Sequence, residues 1–220
     1  MAAIEDRPAL PVADPAPLGL AAFAFTTFLL SAHNAGWAPD IVWVGAALFY
    51  GGIAQLLAGM WEFRNRNVFG ATAFSTYGGF WLSLGIFVVF AVNTKLGGLL
   101  TGKNDLANSL AWFLFSFAVF NTYMLLWSTR VNGAVFAVFL TLEITEILLC
   151  IGFFVLTSGG GDGFVKAGGW FGLLTAAVAW YASAAGVVNS MSPSPVLPVG
   201  RPLWGGQAEE STRRQRPLEA

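Results

Sequence analysis

"GAVFAVFLTLEITEILLCIGFFVL", residues 133–156, is apolar almost throughout, yet it carries two glutamates three residues apart. At about 1.5 Å per residue a helix of this length crosses the roughly 30 Å of bilayer hydrocarbon. A transmembrane β-strand would be shorter and would alternate, and this stretch does not alternate. It therefore reads as a membrane-spanning helix. A carboxylate inside such a helix is costly, so Glu143 and Glu146 are functional candidates by default.

Five further apolar runs of spanning length lie near 18–36, 40–61, 70–92, 106–127 and 167–190. Only 10% of the chain is charged and 56% is apolar, far from the roughly 25% charged residues of a soluble domain. The fold expected is an all-α membrane protein with six transmembrane helices. A tail over 1–17 precedes the helical domain of 18–190, and a polar, largely disordered tail over 191–220 follows it. The leader holds more acid than base and no small-residue cleavage site, so the first run reads as a helix rather than a cleaved signal.

The net charge of −1 argues against nucleic acid as a partner. Cys150 stands alone, which rules out an intrachain disulfide and leaves it as a small buried hydrophobe. His33 is the one histidine, so no zinc site can be assembled around it, and a hydrogen-bonding role near the end of the first helix is the simpler reading. Neither a phosphate loop nor a nucleophile elbow is present, and no cofactor or catalytic residue is assigned; intramembrane hydrolysis is a weak rival.

Lys and Arg divide unevenly between the two sides. The N-terminal tail, the second and fourth loops and the C-terminal tail hold eight, and the opposite loops hold Lys95, Lys103 and Lys166. The positive-inside bias then puts both termini in the cytoplasm. Trp37, Trp43, Trp61, Trp112, Trp127 and Trp170 fall near run ends, as interfacial anchors do. Gly51, Gly52, Ala54, Ala58 and Gly59, and again Gly168, Gly172 and Ala176, form smooth faces for close helix packing. Gln55, beside the first of these faces, needs a polar partner inside the bundle. In "ADPAPLGL", Asp14 is an N-cap candidate and Pro15 suits the first helical position.

Several strings, in order and at similar spacing over about 14–200, resemble the acetate uptake transporter family, also called the YaaH or succinate–acetate permease family. They are "DPAPLGLAAFAFTTFLLSAHNAGW", "FYGGIAQLLAGMWEF", "FGATAFSTYGGFW", "AGGWFGLL" and "LPVG". The resemblance implies six helices per subunit, a ring-like homohexamer, and passage of acetate or related small carboxylates through each subunit. The motif Asp14, Pro15, Pro17, Leu18, Gly19 departs from the family pattern, which starts with Asn. That departure puts a ligand role for Asp14 in doubt and leaves capping intact.

The resemblance also implies an apolar constriction at Phe23, Tyr77 and Leu142. All three lie on odd-numbered runs entering from one side, roughly 8–14 Å deep at the helical rise, so one constriction can hold them. Such a constriction gates by expelling water. Asn34, Gln55 and Thr76 are candidates to hold a carboxylate along the way, and Ala179 resembles a pore-lining position. The alternative is a transport-inactive membrane sensor or structural protein with the same fold. Channel or proton-coupled carrier, and the choice among acetate, succinate, lactate and propionate, stay open.

At about 100° per residue, Glu146 lies about 40° round from Leu142 and one turn farther along, whereas Glu143 turns about 100° away toward a flanking helix. Glu146 is thus the candidate pathway acid and proton site, and Glu143 a structural partner. At least one of the pair is expected to be protonated near neutral pH, because burial and like-charge proximity oppose ionising both. Most family members carry apolar or hydroxyl residues at these positions, so the pair is a departure.

Overall fold

The computed structural model describes residues 12–39, 41–93, 98 and 105–204. Arg7, Lys95, Lys103 and the tail beyond residue 204, including its expected disorder, lie outside the described residues. Six helices are long and apolar enough to cross a membrane: α1 (Ala16–Asn34), α2 (Val42–Arg64), α3 (Val68–Val92), α4 (Asp105–Ser128), α5 (Gly133–Thr157) and α6 (Gly163–Ser190). They coincide with the six apolar runs, because apolar length alone specifies a span. α6 begins earlier than its run and takes in Lys166, whose stem extends from the helix while its ammonium pairs with Asp162 at 2.9 Å.

Local chemistry sets the helix ends. The tight α2–α3 turn puts Arg66 at φ 60°, and Asn67 Oδ1 then accepts the Gly70 amide at 3.0 Å. Asn132 caps α5 in the same way, taking the Val135 amide at 2.9 Å. The start of α1 differs from expectation: helix begins at Ala16, Pro15 holds the cap position, and Asp14 Oδ1 accepts the Ala16 amide at 2.9 Å.

α6 packs along both α1 and α5, α4 along α5, and α2 along α3. Small residues make these approaches possible. A Cβ on Gly78 would lie 2.8 Å from the Leu56 amide nitrogen, and one on Gly172 would run into the Ser31 side chain. With no hydrophobic gain between helices in lipid, such close backbone packing supplies the association energy.

α2 contains a π-helical turn over Phe49–Ala54, centred on Gly51 and Gly52. The extra residue turns everything after it by about 100° relative to an unbroken α-helix, and Gln55 is the first side chain it re-aims. Trp43 is the exception among the expected interfacial tryptophans. It is buried at 5% exposure, whereas Trp37, Trp61, Trp112, Trp127 and Trp170 are exposed.

The described N- and C-terminal residues share one end of the bundle. There Ser183 Oγ donates to Pro17 O at 2.7 Å, and the segment after α6 turns back across the helix ends. Asn189 holds it through the Leu197 carbonyl and the Val196 and Leu197 amides, and Ala134 N donates to Val199 O at 2.8 Å.

Candidate functional site

Two cavities enter the bundle from opposite ends. The one at the end remote from the described termini measures about 480 Å³. The one at the terminal end measures about 340 Å³. Phe23 from α1, Tyr77 from α3 and Leu142 from α5 line both, and no other described residue does. Each of the three is at most 6% exposed, and the Phe23 and Tyr77 rings meet edge-on with centroids 5.7 Å apart. The cavities therefore meet across three side chains, one from each odd-numbered helix.

Asn34 and His33 line the remote cavity, near its mouth, while Gln55 and Asp14 line the terminal one. Thr76 and Ala179 line neither; Ala179 is fully buried in helix packing. Of the N-terminal motif, Pro17 touches the terminal cavity, Gly19 lets α1 close on Phe74, and Leu18 points outward at 48% exposure. Pro15 stands at the helix start. Among the described residues no group of three or more His, Cys, Asp or Glu side chains is placed to hold a metal ion.

The two glutamates part as their helical phases require. Glu146 is 3% exposed and lines the remote cavity, with Oε1 3.3 Å from the Tyr77 hydroxyl. Glu143 turns to α4, where Asn121 Nδ2 donates to Oε2 at 2.7 Å and Thr122 Oγ1 lies 2.7 Å from Oε1. Asn121, fully buried, joins Glu143 to Tyr77. Its amide nitrogen also donates to Phe139 O at 3.0 Å, and since a backbone carbonyl can only accept, the amide orientation is fixed. Asn121 Oδ1 is left to accept the Tyr77 hydroxyl at 2.8 Å. Glu143, Asn121 and Tyr77 thus form a continuous chain that fixes the shared ring from behind.

Sequence reading did not single out Asn121, since one Asn in an apolar run carries no periodic signal. Its only cue was polarity inside a span, the cue that marked the glutamates.

Six spanning helices enclosing two opposed cavities, closed against each other by three side chains, define a multi-pass membrane protein of the alternately directed helix-bundle class. The chain belongs to the GPR1/FUN34/yaaH family, whose sequence model matches residues 2–201. It is 41% identical over 215 residues to acetate permease A of Emericella nidulans, covering 92% of this chain and 72% of that protein. Against the succinate-acetate/proton symporter SatP of Escherichia coli K12 the identity is 38% over 190 residues, covering 86% and 96%. The solved structure of the bacterial acetate channel SatP matches with a TM-score of 0.77 and 37% identity, over 86% of this chain and 99% of that one.

Proposed function

We propose that this protein is a transporter or channel for acetate and related small carboxylates, with Phe23, Tyr77 and Leu142 as its constriction. One observation carries the proposal: these three residues alone among the described ones line both cavities. Its relatives named for acetate and succinate transport support the substrate class. An apolar neck between two wider cavities favours a small carboxylate with a methyl tail over a strongly hydrated ion, which would have to shed its water there.

Asn34 on the remote side and Gln55 on the terminal side are groups that meet the substrate, and both line a cavity. Glu146 is the proton site and Glu143 its structural partner. The protein acts in the plasma membrane as a ring of six copies, as the family resemblance implies. Arg64, Arg66, Arg130 and Arg201 at the terminal end support a cytoplasmic location for both termini.

The test is uptake of labelled acetate into vesicles containing the purified protein. Flux well above that of empty vesicles is expected; flux no greater, with folded protein present, overturns the proposal. An imposed proton gradient then separates carrier from channel, since only a proton-coupled carrier drives acetate above its electrochemical equilibrium. Diffusion of neutral acetic acid through the lipid is subtracted from both.

A further inference from the structure

After α6 the chain runs back across the terminal end as a strap, residues 191–204, that ties the ends of three helices together. Asn189 fastens its first half, holding the Val196 and Leu197 amides and the Leu197 carbonyl. The Tyr181 hydroxyl, also on α6, donates to Pro198 O at 2.6 Å. Val199 O then accepts the Ala134 amide of α5 at 2.8 Å, and the Leu203 amide donates to Thr129 O, just past α4, at 2.8 Å. The Arg130 guanidinium lies over the Trp204 ring, 4.7 Å from its centre, and covers the far end.

The sequence makes this strap stiff. Pro193, Pro195, Pro198 and Pro202 fix φ at four positions, so little backbone freedom is lost when it is laid down. Gly200 permits the close approach to α5: its φ is 75°, and a Cβ there would stand 3.3 Å from Gly133 Cα.

Val199 is the residue that this arrangement delivers to the pathway. It is half-buried and lines the terminal cavity, the one residue of the strap to do so. Val196, three residues earlier, is 57% exposed and lines neither cavity. Asp14, Asn65 and Val131 also line the terminal cavity and are exposed, which puts its mouth among the start of α1, the α2–α3 turn and the α4–α5 turn. The strap supplies a further side of that mouth.

It also reaches the constriction through α5. The first amides of a helix have no partner within it. In α5, Val199 O takes that of Ala134 and Asn132 Oδ1 takes that of Val135. Leu142 follows Ala134 by eight residues, about 12 Å along the same helix. The residue that walls the mouth therefore also anchors the start of the helix carrying Leu142.

We propose that Val199 is a size-selecting residue at the terminal mouth of the pathway, held in place by Asn189 and Tyr181 through the strap. The proposal deepens the transport assignment and rests on it. A fixed apolar wall suits a short carboxylate, whose methyl group loses nothing against a valine. It crowds a longer dicarboxylate, whose second charged group must keep its water.

The test uses the full chain with Cys150→Ser, which keeps a donor for Ala111 O, reconstituted in lipid vesicles. Val199→Cys and Val196→Cys are each labelled with a methyl or a benzyl methanethiosulfonate before reconstitution, and thermal unfolding checks that each variant is folded. The benzyl adduct at Val199→Cys is expected to cut acetate uptake several-fold and succinate uptake further, the methyl adduct much less. Either adduct at Val196→Cys should leave uptake unchanged, whereas a merely structural strap would respond alike at both positions. Asn189→Ala combined with Tyr181→Phe should free the strap and raise succinate uptake relative to acetate several-fold. Undiminished uptake with the benzyl adduct at Val199→Cys, equal responses at the two positions, or an unchanged succinate-to-acetate ratio in the double variant would each overturn the proposal. Any of these results beside normal wild-type uptake leaves transport standing, whereas a wild type that carries no acetate removes the transport assignment and the role of Val199 with it.

Discussion

Tyr77 meets Phe23 edge-on at an interplanar angle of 63°, while its hydroxyl is held 2.8 Å from Asn121 on the opposite side. One residue thereby belongs to two environments: its ring closes the neck between the cavities, and its polar tip is anchored in a buried network. An aromatic ring with a tethered hydroxyl is a stiffer stopper than a free one, since the hydrogen bond removes its freedom to swing aside.

Shortening the neck should loosen selection. Phe23→Ala removes one of the three side chains between the cavities, and we expect flux of bulkier carboxylates to rise several-fold relative to acetate. Competition uptake with lactate and succinate reads this ratio. An unchanged ratio with folded protein would show that Phe23 does not limit passage.

Breaking the anchor should destabilise the bundle without emptying the cavities. Asn121→Leu strips an acceptor from Tyr77 and a donor from Glu143, at a cost of about 1–3 kcal/mol for buried groups left unpaired. The thermal midpoint should drop accordingly. Tyr77→Phe in the Asn121→Leu background should cost less than in the wild type, because the partner is already lost. Additive costs in that double-mutant cycle would argue against direct coupling.

Gly172 sits where α6 crosses α1, and a Cβ there would meet Ser31 Oγ and approach Thr145 Cγ2 at 3.3 Å. Gly172→Ala is expected to cost about 1–3 kcal/mol, through forced separation of the helices. Gly79 has open space around its would-be Cβ, so Gly79→Ala serves as the control and should leave the melting profile near that of the wild type. Thermal unfolding in detergent compares the two.

Asn189 alone fastens three backbone groups of the returning segment. Asn189→Ala should release residues 191–204 from the terminal face, with protease cleavage there accelerating several-fold while the helices stay protected. Equal cleavage in wild type and variant would mean that Tyr181, whose hydroxyl donates to Pro198 O at 2.6 Å, suffices to hold the segment.

Much of this protein was legible as sequence because its signals are local. A span is a matter of apolar length, and all six runs became helices within a few residues of their expected limits. Helical phase is also local, which is why counting round from Leu142 separated Glu146, on the cavity, from Glu143, on α4.

Which helix faces which depended on packing, and no single segment encodes it. Thr76 and Trp81 lie five residues apart on α3, yet only Trp81 lines a cavity, because the neighbours of α3 decide which of its faces is open. The π-helical turn that aims Gln55 and the burial of Trp43 depend likewise on contacts between helices. The amide orientation of Asn121 depends on a carbonyl of α5. Apolar length and helical phase were determined by the sequence itself, since each is fixed within one helix. The meeting of two cavities at three side chains was decided by the tertiary structure, since it takes three helices held together to make it.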